Sequence, residues 1–191
     1  MKEMQTVINF PMGEQIVKTA QHRVNLYSRN KTKGDKMIRD SYSLDIQNLV
    51  SKGMFSEATG FLVRHQLEDL FGLRPEDLIY VATGPGTLFQ AKLAFPDGEV
   101  KIGRGPNGAD YKLKEHLSDL IPQAATFGTI FVGTGDHEVI DEVTALRDAG
   151  GNVVLIGVRG TIHNPYKNLG VPIVELDPIV SIESADWMLT A

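Results

Sequence analysis

Cysteine is absent from this chain of 191 residues. Its absence excludes disulfide bonds, thiolate catalysis and cysteine-ligated zinc, and it is typical of a reducing compartment. Long apolar runs are absent too. The first ten residues, MKEMQTVINF, hold no run of the length found in secretion signals, and no later segment is apolar enough to span a membrane. We therefore expect a cytoplasmic protein with no membrane partner.

An excess of basic residues is also lacking. The 19 Lys and Arg residues stand against 24 Asp and Glu residues, which gives a formal net charge of −5. Because a protein that coats DNA or RNA gains affinity from a basic surface, this balance argues against non-specific coating of nucleic acid. It does not conflict with an enzyme that clusters carboxylates in one site and keeps basic residues around them.

The remaining composition is that of a globular protein, with 42% hydrophobic and 23% charged residues, and the length suits one domain. Short apolar runs alternate with helical patterns, which predicts a parallel sheet with crossover helices. The runs predicted as strands are Thr6–Phe10, Leu78–Ala82, Thr129–Val132, Val153–Val158 and Pro172–Leu176. Most are apolar throughout, as expected for a sheet with helices on both faces.

Two segments between these runs allow more than one interpretation. Residues 14–71 are mostly helical in pattern, and this is more helix than one crossover needs. We predict a helical insert there that packs on the sheet, caps a site or forms an oligomer surface. The segment 87–103 contains the turn sequence Pro96–Gly98. A helix followed by a strand preserves the alternation here better than a hairpin does.

Carboxylates follow an apolar strand and a Gly-rich turn in the sequence GTGDHE at Gly133–Glu138. Asp136 and Glu138 are therefore predicted at the carboxyl end of a strand, where open α/β sheets bind ligands. Asn9, at the end of the first predicted strand, could project into the same ligand site at the carboxyl ends of the strands. Each acid also has a simpler explanation, Asp136 as a helix N-cap and Glu138 as an exposed residue of the first helical turn.

Another carboxylate, Asp110, opens the helical sequence YKLKEHLSDL. On a helical wheel it falls beside the apolar stripe of Leu113, Leu117 and Leu120, so it is predicted to face the sheet. A buried carboxylate needs a partner, such as a metal ion, backbone N–H groups or the nearby Lys114. The simpler explanation is that an acid in the first turn of a helix interacts favourably with the helix dipole.

Three stretches together resemble the NYN branch of the PIN-like ribonucleases. They are GADYKLKEHL at Gly108–Leu117, TIFVGTGDHEVIDEVTALRDAGGNVVLIG at Thr129–Gly157 and VPIVELD at Val171–Asp177. The family typically shows a Gly-x-Asp that opens a helix, then an apolar strand with Ser-Gly-Asp-x-Asp before a further helix, then a Gly and an apolar strand. The resemblance covers roughly residues 76–177 and none of the predicted insert.

The resemblance implies one domain with a Rossmann-like three-layer α/β/α fold and an acidic cluster that binds Mg²⁺ or Mn²⁺. Asp110 and Asp136 match acids of the family, and Glu138 stands where the family usually has Asp. Asn9 stands where an acid of the first strand is expected, and Thr134 replaces the usual Ser. The implied metal ligands are Asn9, Asp110, Asp136 and Glu138, of which Asp110, Asp136 and Glu138 are also implied as catalytic residues.

The implied activity is metal-dependent cleavage of RNA phosphodiester bonds. Hard divalent cations prefer oxygen ligands, and Mg²⁺ also binds phosphate oxygens and lowers the pKa of a bound water. Thr134 would orient a ligand or a water molecule. The basic residues that could contact the RNA backbone are Lys101, Arg104, Lys112 and Arg159. A solvated surface role explains each of these basic residues taken alone.

Several alternatives stay open. With Asn9 in place of an acid, the domain would be weak or inactive as an enzyme and would bind RNA or a protein partner, with the insert as contact surface. A Toprim-like phosphotransfer domain also uses paired acids, but it needs a further Glu after its first strand. A dinucleotide site is disfavoured because residue 138 is Glu where the glycine fingerprint needs Gly. The histidines show no metal-ligand spacing, and a solvent-facing position explains His137 better than proton transfer does.

Overall fold

The computed structural model of the chain describes residues 38–50 and 54–179. The strands within these residues are β1 (Ser41–Asp45), β2 (Leu78–Thr83), β3 (Glu99–Ile102), β4 (Ile130–Gly133), β5 (Val153–Val158) and β6 (Ile173–Leu176). These six described strands form one sheet in the order β3-β2-β1-β4-β5-β6. Every neighbouring pair is parallel. The predicted α/β fold with a parallel sheet is therefore confirmed.

Helices connect the strands as crossovers. They are α1 (Ile46–Leu49), α2 (Glu57–Phe71), α3 (Leu88–Ala94), α4 (Gly108–Leu120), α5 (Ile140–Asp148) and α6 (Asn164–Lys167), with 3₁₀ turns at Pro85–Thr87, Ile121–Thr126 and His137–Val139. Within the described ranges, no helix is both long and apolar enough to cross a membrane.

The helices cover both faces of the sheet and make three layers. On one face, Leu113 of α4 and Leu146 of α5 are fully buried in a core that includes side chains of β2, β4 and β5. On the other face, Phe71 at the end of α2 contacts Phe131 of β4, with ring centroids 4.8 Å apart. Phe131 in turn stacks on Tyr42 of β1 at 4.6 Å. The arrangement is a Rossmann-like three-layer α/β/α fold.

Most of the predicted strands are found close to their predicted bounds. β2, β4, β5 and β6 correspond to four of the predicted runs, and β5 has the predicted bounds. In the segment 87–103, α3 is followed by β3, which pairs in parallel with β2, so the helix-then-strand interpretation is confirmed. The first predicted strand, Thr6–Phe10, lies outside the described residues, as do residues 14–37 of the predicted insert.

The predicted helical insert is wrong for residues 41–45, which form strand β1. The sequence SYSLD conceals a strand because Ser and Asp are poor strand formers. Its position in the fold overrides that propensity, since β1 pairs with β2 on one edge and with β4 on the other. Ser41 and Ser43 are both fully buried there. A polar pentapeptide is thus a central strand of the sheet.

β1 and β4 lie side by side at the point where the strand order reverses. From β1 the chain continues outward to β2 and β3, whereas from β4 it continues outward to β5 and β6. Leu44 near the end of β1 is in register with Gly133 at the end of β4. In open parallel sheets, ligands bind outside the carboxyl ends of the strands at such a switch point. The residues that follow Leu44 and Gly133 are therefore the ones expected to form a ligand site.

Candidate functional site

Asp45 is the last residue of β1, and it is 2% exposed. Its Oδ1 accepts hydrogen bonds from the backbone N–H groups of Gln47 (3.0 Å) and Asn48 (3.2 Å), so it caps α1. Its Oδ2 accepts a hydrogen bond from the side-chain amide of Asn48 at 3.0 Å. These contacts fix the carboxyl group in one orientation at the carboxyl edge of the sheet.

The carboxyl group of Asp110 lies in hydrogen-bonding contact with that of Asp45. Burial is the main cause that raises the pKa of Asp45 to about 7, and the charge of Asp110 adds to it. Burial also raises the pKa of Asp110, and the charges of Asp136 and Glu138 add to that shift. The pair therefore keeps a proton to a higher pH than a solvent-exposed aspartate does.

Asp110 occupies the position that the helical wheel predicted. It lies in the first turn of α4, while Leu113 and Leu117 of the same helix are fully buried. Lys114, which was considered as its partner, instead has its ammonium 3.6 Å from the carboxylate of Glu142. The dipole explanation alone does not account for a carboxyl group in contact with a second carboxyl group.

Asp136 follows β4 and precedes the turn His137–Val139. It is the N-cap residue of that turn, as predicted, but its side chain makes no capping hydrogen bond, so capping does not account for the position of its carboxylate. The Oδ1 atom is buried, and among the described residues it accepts no hydrogen bond, although the Nδ1 of His137 lies 2.9 Å away. Asp136 lines the same cleft as Asp45 and Asp110, and the charges of Asp136 and Glu138 both act on Asp110.

Thr134 and Asn48 connect the two strand ends that carry the acids. The side-chain amide of Asn48 donates to the Oγ1 of Thr134 at 3.2 Å, as well as to Asp45. The same Oγ1 accepts a hydrogen bond from the backbone N–H of Asp136, also at 3.2 Å. Thr134 is 1% exposed. The hydroxyl group predicted to orient a ligand or water thus holds the backbone of Asp136 in place relative to Asp45.

A cleft of about 630 Å³ opens beside the acids. Asp45, Asp110 and Asp136 line it together with the glycines Gly84, Gly86, Gly103, Gly105 and Gly108. Glycines present backbone N–H and C=O groups to a cleft without a side chain in the way. A wall of this kind lets an extended ligand approach the backbone closely.

The loop before α4 depends on two of these glycines. A β-carbon on Gly103 would lie 1.8 Å from the backbone carbonyl carbon of Gly108, so no side chain fits there. Between them, Gly105 has a φ of 80° and Asn107 a φ of 56°, both in the left-handed region. This tight turn brings the first residues of α4, and with them Asp110, to the edge of the sheet.

The basic residues predicted to contact a substrate differ in their surroundings. Lys101 pairs with Glu99 at 2.7 Å, Lys112 with Glu115 at 2.6 Å, and Arg159 with Asp177 at 3.0 Å. Arg104 is exposed between the cleft-lining Gly103 and Gly105. Across the described ranges Arg104 makes no ion pair, whereas each of the other three basic residues is paired with an acid.

The sequence analysis missed Asp45 and Asn48, and it assigned the first-strand position to Asn9, which lies outside the described residues. A signal for Asp45 exists in the sequence, because an Asp precedes the apolar Ile46 and Leu49 as an N-cap precedes a helix. The signal was hidden because SYSL was not recognised as a strand. Because that strand was not predicted, Asp45 was not expected to lie at the carboxyl edge of the sheet.

The fold and the position of the acids define the class of this domain: a Rossmann-like α/β domain with an acidic cleft at the switch point of its sheet. Comparison with protein-family models, with curated proteins and with solved structures finds no match.

Proposed function

We propose that this protein is a metal-dependent ribonuclease related to the NYN branch of the PIN-like family. The observation that carries the proposal is the convergence of Asp45, Asp110 and Asp136 on one cleft where β1 and β4 end, with the charge of Glu138 acting on Asp110. Three carboxylates around one cleft repel each other unless protons or cations compensate their charge. A divalent cation that also binds a phosphodiester would supply that compensation.

The donor set fits Mg²⁺ or Mn²⁺. Both ions prefer oxygen ligands, and carboxylates are their usual protein ligands. The raised pKa values of Asp45 and Asp110 indicate a position where positive charge is favourable. The buried Oδ1 of Asp136 accepts no hydrogen bond from the described residues. In this proposal Asp45 and Asp110 hold the cation directly, and Asp136 and Glu138 hold it directly or through water.

The bound ion would polarise the phosphoryl oxygens and lower the pKa of a bound water molecule. The residues of the chain position the reactants. Thr134 and Asn48 fix Asp136 and Asp45 relative to each other through one hydroxyl group. The glycine wall of the cleft admits the sugar-phosphate backbone, and Arg104 contributes a cationic contact to a phosphate.

Asp45 bears directly on the choice between an active and an inactive domain. The alternative of an inactive RNA-binding or protein-binding module depended on Asn9 replacing the acid of the first strand. Asp45 stands at the end of the central strand β1 and is hydrogen-bonded to Asp110. It therefore supports the enzyme over the inactive module. RNA as the substrate rests on the family resemblance, whereas a cytoplasmic location and the lack of a membrane partner remain expectations from the composition of the sequence. Oligomerisation through residues 14–71 remains a proposal of the sequence alone.

The decisive experiment is cleavage of a labelled mixed RNA pool with Mg²⁺ or Mn²⁺. We expect cleavage by the wild type and its loss in Asp136→Asn and in Asp45→Asn. Asp141→Asn is the matched control, because Asp141 is an exposed acid at the start of α5 and does not line the cleft. Absence of cleavage by the wild type with both ions would contradict the proposal, as would full activity of Asp45→Asn.

A further inference from the structure

Two histidines lie beside Asp136 at the rim of the acidic cleft. One potential ligand atom from each of Asp136, His137 and His163 lies within 4.8 Å of the other two. The Nδ1 of His137 is 2.9 Å from the Oδ1 of Asp136, and the ring centroids of His137 and His163 are 5.0 Å apart. The sequence spacing of the histidines gave no sign of this, because the fold brings His163 to the cleft from a different loop.

The backbone holds these two loops together. The backbone N–H of His163 donates a hydrogen bond to the carbonyl oxygen of Gly135 at 3.1 Å. The hydroxyl group of Tyr166, whose side chain is fully buried, donates to the carbonyl oxygen of Asp136. A β-carbon on Gly135 would lie 2.9 Å from the carbonyl oxygen of Thr161, so the loops pack without room for a side chain. The position of His163 relative to Asp136 is therefore built into the fold.

We propose that Asp136, His137 and His163 form a second cation site, which takes a divalent transition-metal ion of the Zn²⁺ or Co²⁺ type. Such ions bind imidazole nitrogen and carboxylate oxygen at about 2.0–2.2 Å, so two ligands of one ion lie at most about 4 Å apart. The present spacing of up to 4.8 Å closes by small side-chain rotations, for which the exposed imidazoles of His137 and His163 have room.

The ligand types separate this site from the carboxylate cluster. Imidazole suits Zn²⁺, Co²⁺ and Ni²⁺, whereas Mg²⁺ is held by oxygen ligands. The buried Oδ1 of Asp136 lies 2.9 Å from the Nδ1 of His137, a spacing that two ligands of one ion can adopt, and it serves as the third ligand. Asp136 belongs to both clusters, so the second ion would adjoin the first. The inference does not depend on RNA cleavage, because it concerns binding of the ion alone.

The test is titration of the full chain with Co²⁺, followed by visible absorption and by calorimetry. His163→Asn and His137→Asn remove one imidazole each, and we expect each to lower Co²⁺ affinity by at least about tenfold, with loss of the absorption bands. His65→Asn is the matched control. His65 is an exposed histidine of α2 that lies near Glu68 and Asp69, and its replacement should leave Co²⁺ binding unchanged.

Equal Co²⁺ affinity in the wild type, His163→Asn and His137→Asn would overturn this inference, whatever the protein does to RNA. Failure of the second cation site can be distinguished from failure of the ribonuclease proposal. Loss of Co²⁺ binding in His163→Asn with no RNA cleavage by the wild type would overturn only the ribonuclease proposal. Cleavage that needs Asp45, together with unchanged Co²⁺ binding in both histidine variants, would overturn only the second cation site.

Discussion

The carboxyl group of Asp45 is hydrogen-bonded to the carboxyl group of Asp110. Asp45 ends the central strand β1, and Asp110 lies in the first turn of α4, so the contact joins the sheet to a covering helix. Two ionised carboxylates in such contact would repel each other, and at a buried position water does little to screen them. The pair is stable only with a shared proton or with a cation in its place, and binding of a cation releases that proton.

Asp45→Asn is expected to weaken the binding of Mn²⁺ by at least about tenfold, because it removes a direct ligand of the proposed ion. Asn is also a favoured N-cap residue, so the cap of α1 is retained and the chain should fold. Calorimetric titration with Mn²⁺ measures the change. Asp141→Asn provides the comparison, since it removes one exposed negative charge outside the cleft. Equal Mn²⁺ affinities in the wild type and Asp45→Asn would remove Asp45 from the ligand set.

The stability of the metal-free protein should fall as the pH rises from about 4 to about 7. The pKa of Asp45 is raised from 3.8 to about 7 by folding, chiefly through burial. In that interval the folded chain therefore binds more protons than the unfolded chain, and deprotonation favours unfolding. We expect a loss of about 1 kcal/mol or more, because one pKa unit corresponds to roughly 1.4 kcal/mol.

Urea unfolding at pH 5 and pH 8 in the presence of a chelator measures this loss. In Asp45→Asn the same comparison should show a smaller decrease, because the group that titrates is gone. Mn²⁺ should restore the stability of the wild type at pH 8, since an ion that binds only the folded state stabilises it. A pH dependence that is identical in the wild type and in Asp45→Asn would assign the effect to other groups.

Substitution of Thr134 by Ser is expected to be tolerated, whereas substitution by Val is expected to destabilise the protein. The Oγ1 atom accepts hydrogen bonds from the amide of Asn48 and from the backbone N–H of Asp136. Thr134→Val leaves both donors without this acceptor, which should lower the free energy of unfolding by about 1–3 kcal/mol for each donor left unsatisfied. Thr134→Ser keeps the hydroxyl group and loses about 1 kcal/mol for one buried methyl group. Chemical denaturation measures both free energies of unfolding. If Thr134→Val is more stable than Thr134→Ser, the hydroxyl group is not needed.

Gly103→Ala is expected to destabilise the protein by about 3 kcal/mol, because the added methyl group would overlap the backbone of Gly108. Gly86→Ala is the matched change in the same cleft. There the nearest atom to a new β-carbon is the Sδ of Met54, at the end of a flexible side chain, so the expected cost is under about 1 kcal/mol. Thermal unfolding of the two variants checks the difference, and similar melting temperatures would refute the close contact at Gly103.

The fold was predictable where the strands are apolar. Val153–Val158 and Leu78–Thr83 are buried on both faces, and their sequences VVLIGV and LIYVAT show it. The central strand was not predictable in the same way. Ser41 and Ser43 are as fully buried as the apolar core residues. They lie in a strand because β1 pairs with β2 on one edge and with β4 on the other. A local sequence pattern does not contain this information about pairing.

The candidate site was partly predictable for the same reason. Asp136 and Glu138 follow an apolar strand and a Gly-rich turn, and Asp110 lies in register with a leucine stripe, so local periodicity reveals all three. Asp45 ends a strand that periodicity hides. His163 reaches Asp136 only because the backbone of its loop bonds to Gly135. Contacts between loops that are distant in sequence are the part of the site that no local pattern encodes.

The position of Asp45 on a strand paired on both sides has a consequence for the motions of the cleft. Amide hydrogens in such a strand exchange with solvent only when the domain opens as a whole, whereas those of a loop exchange through local opening. The backbone amides of β1 should therefore exchange more slowly than those of the loop residues 104–107. Binding of a ligand against the glycine wall would therefore be detected as slower deuterium uptake in residues 103–108 with no change in β1.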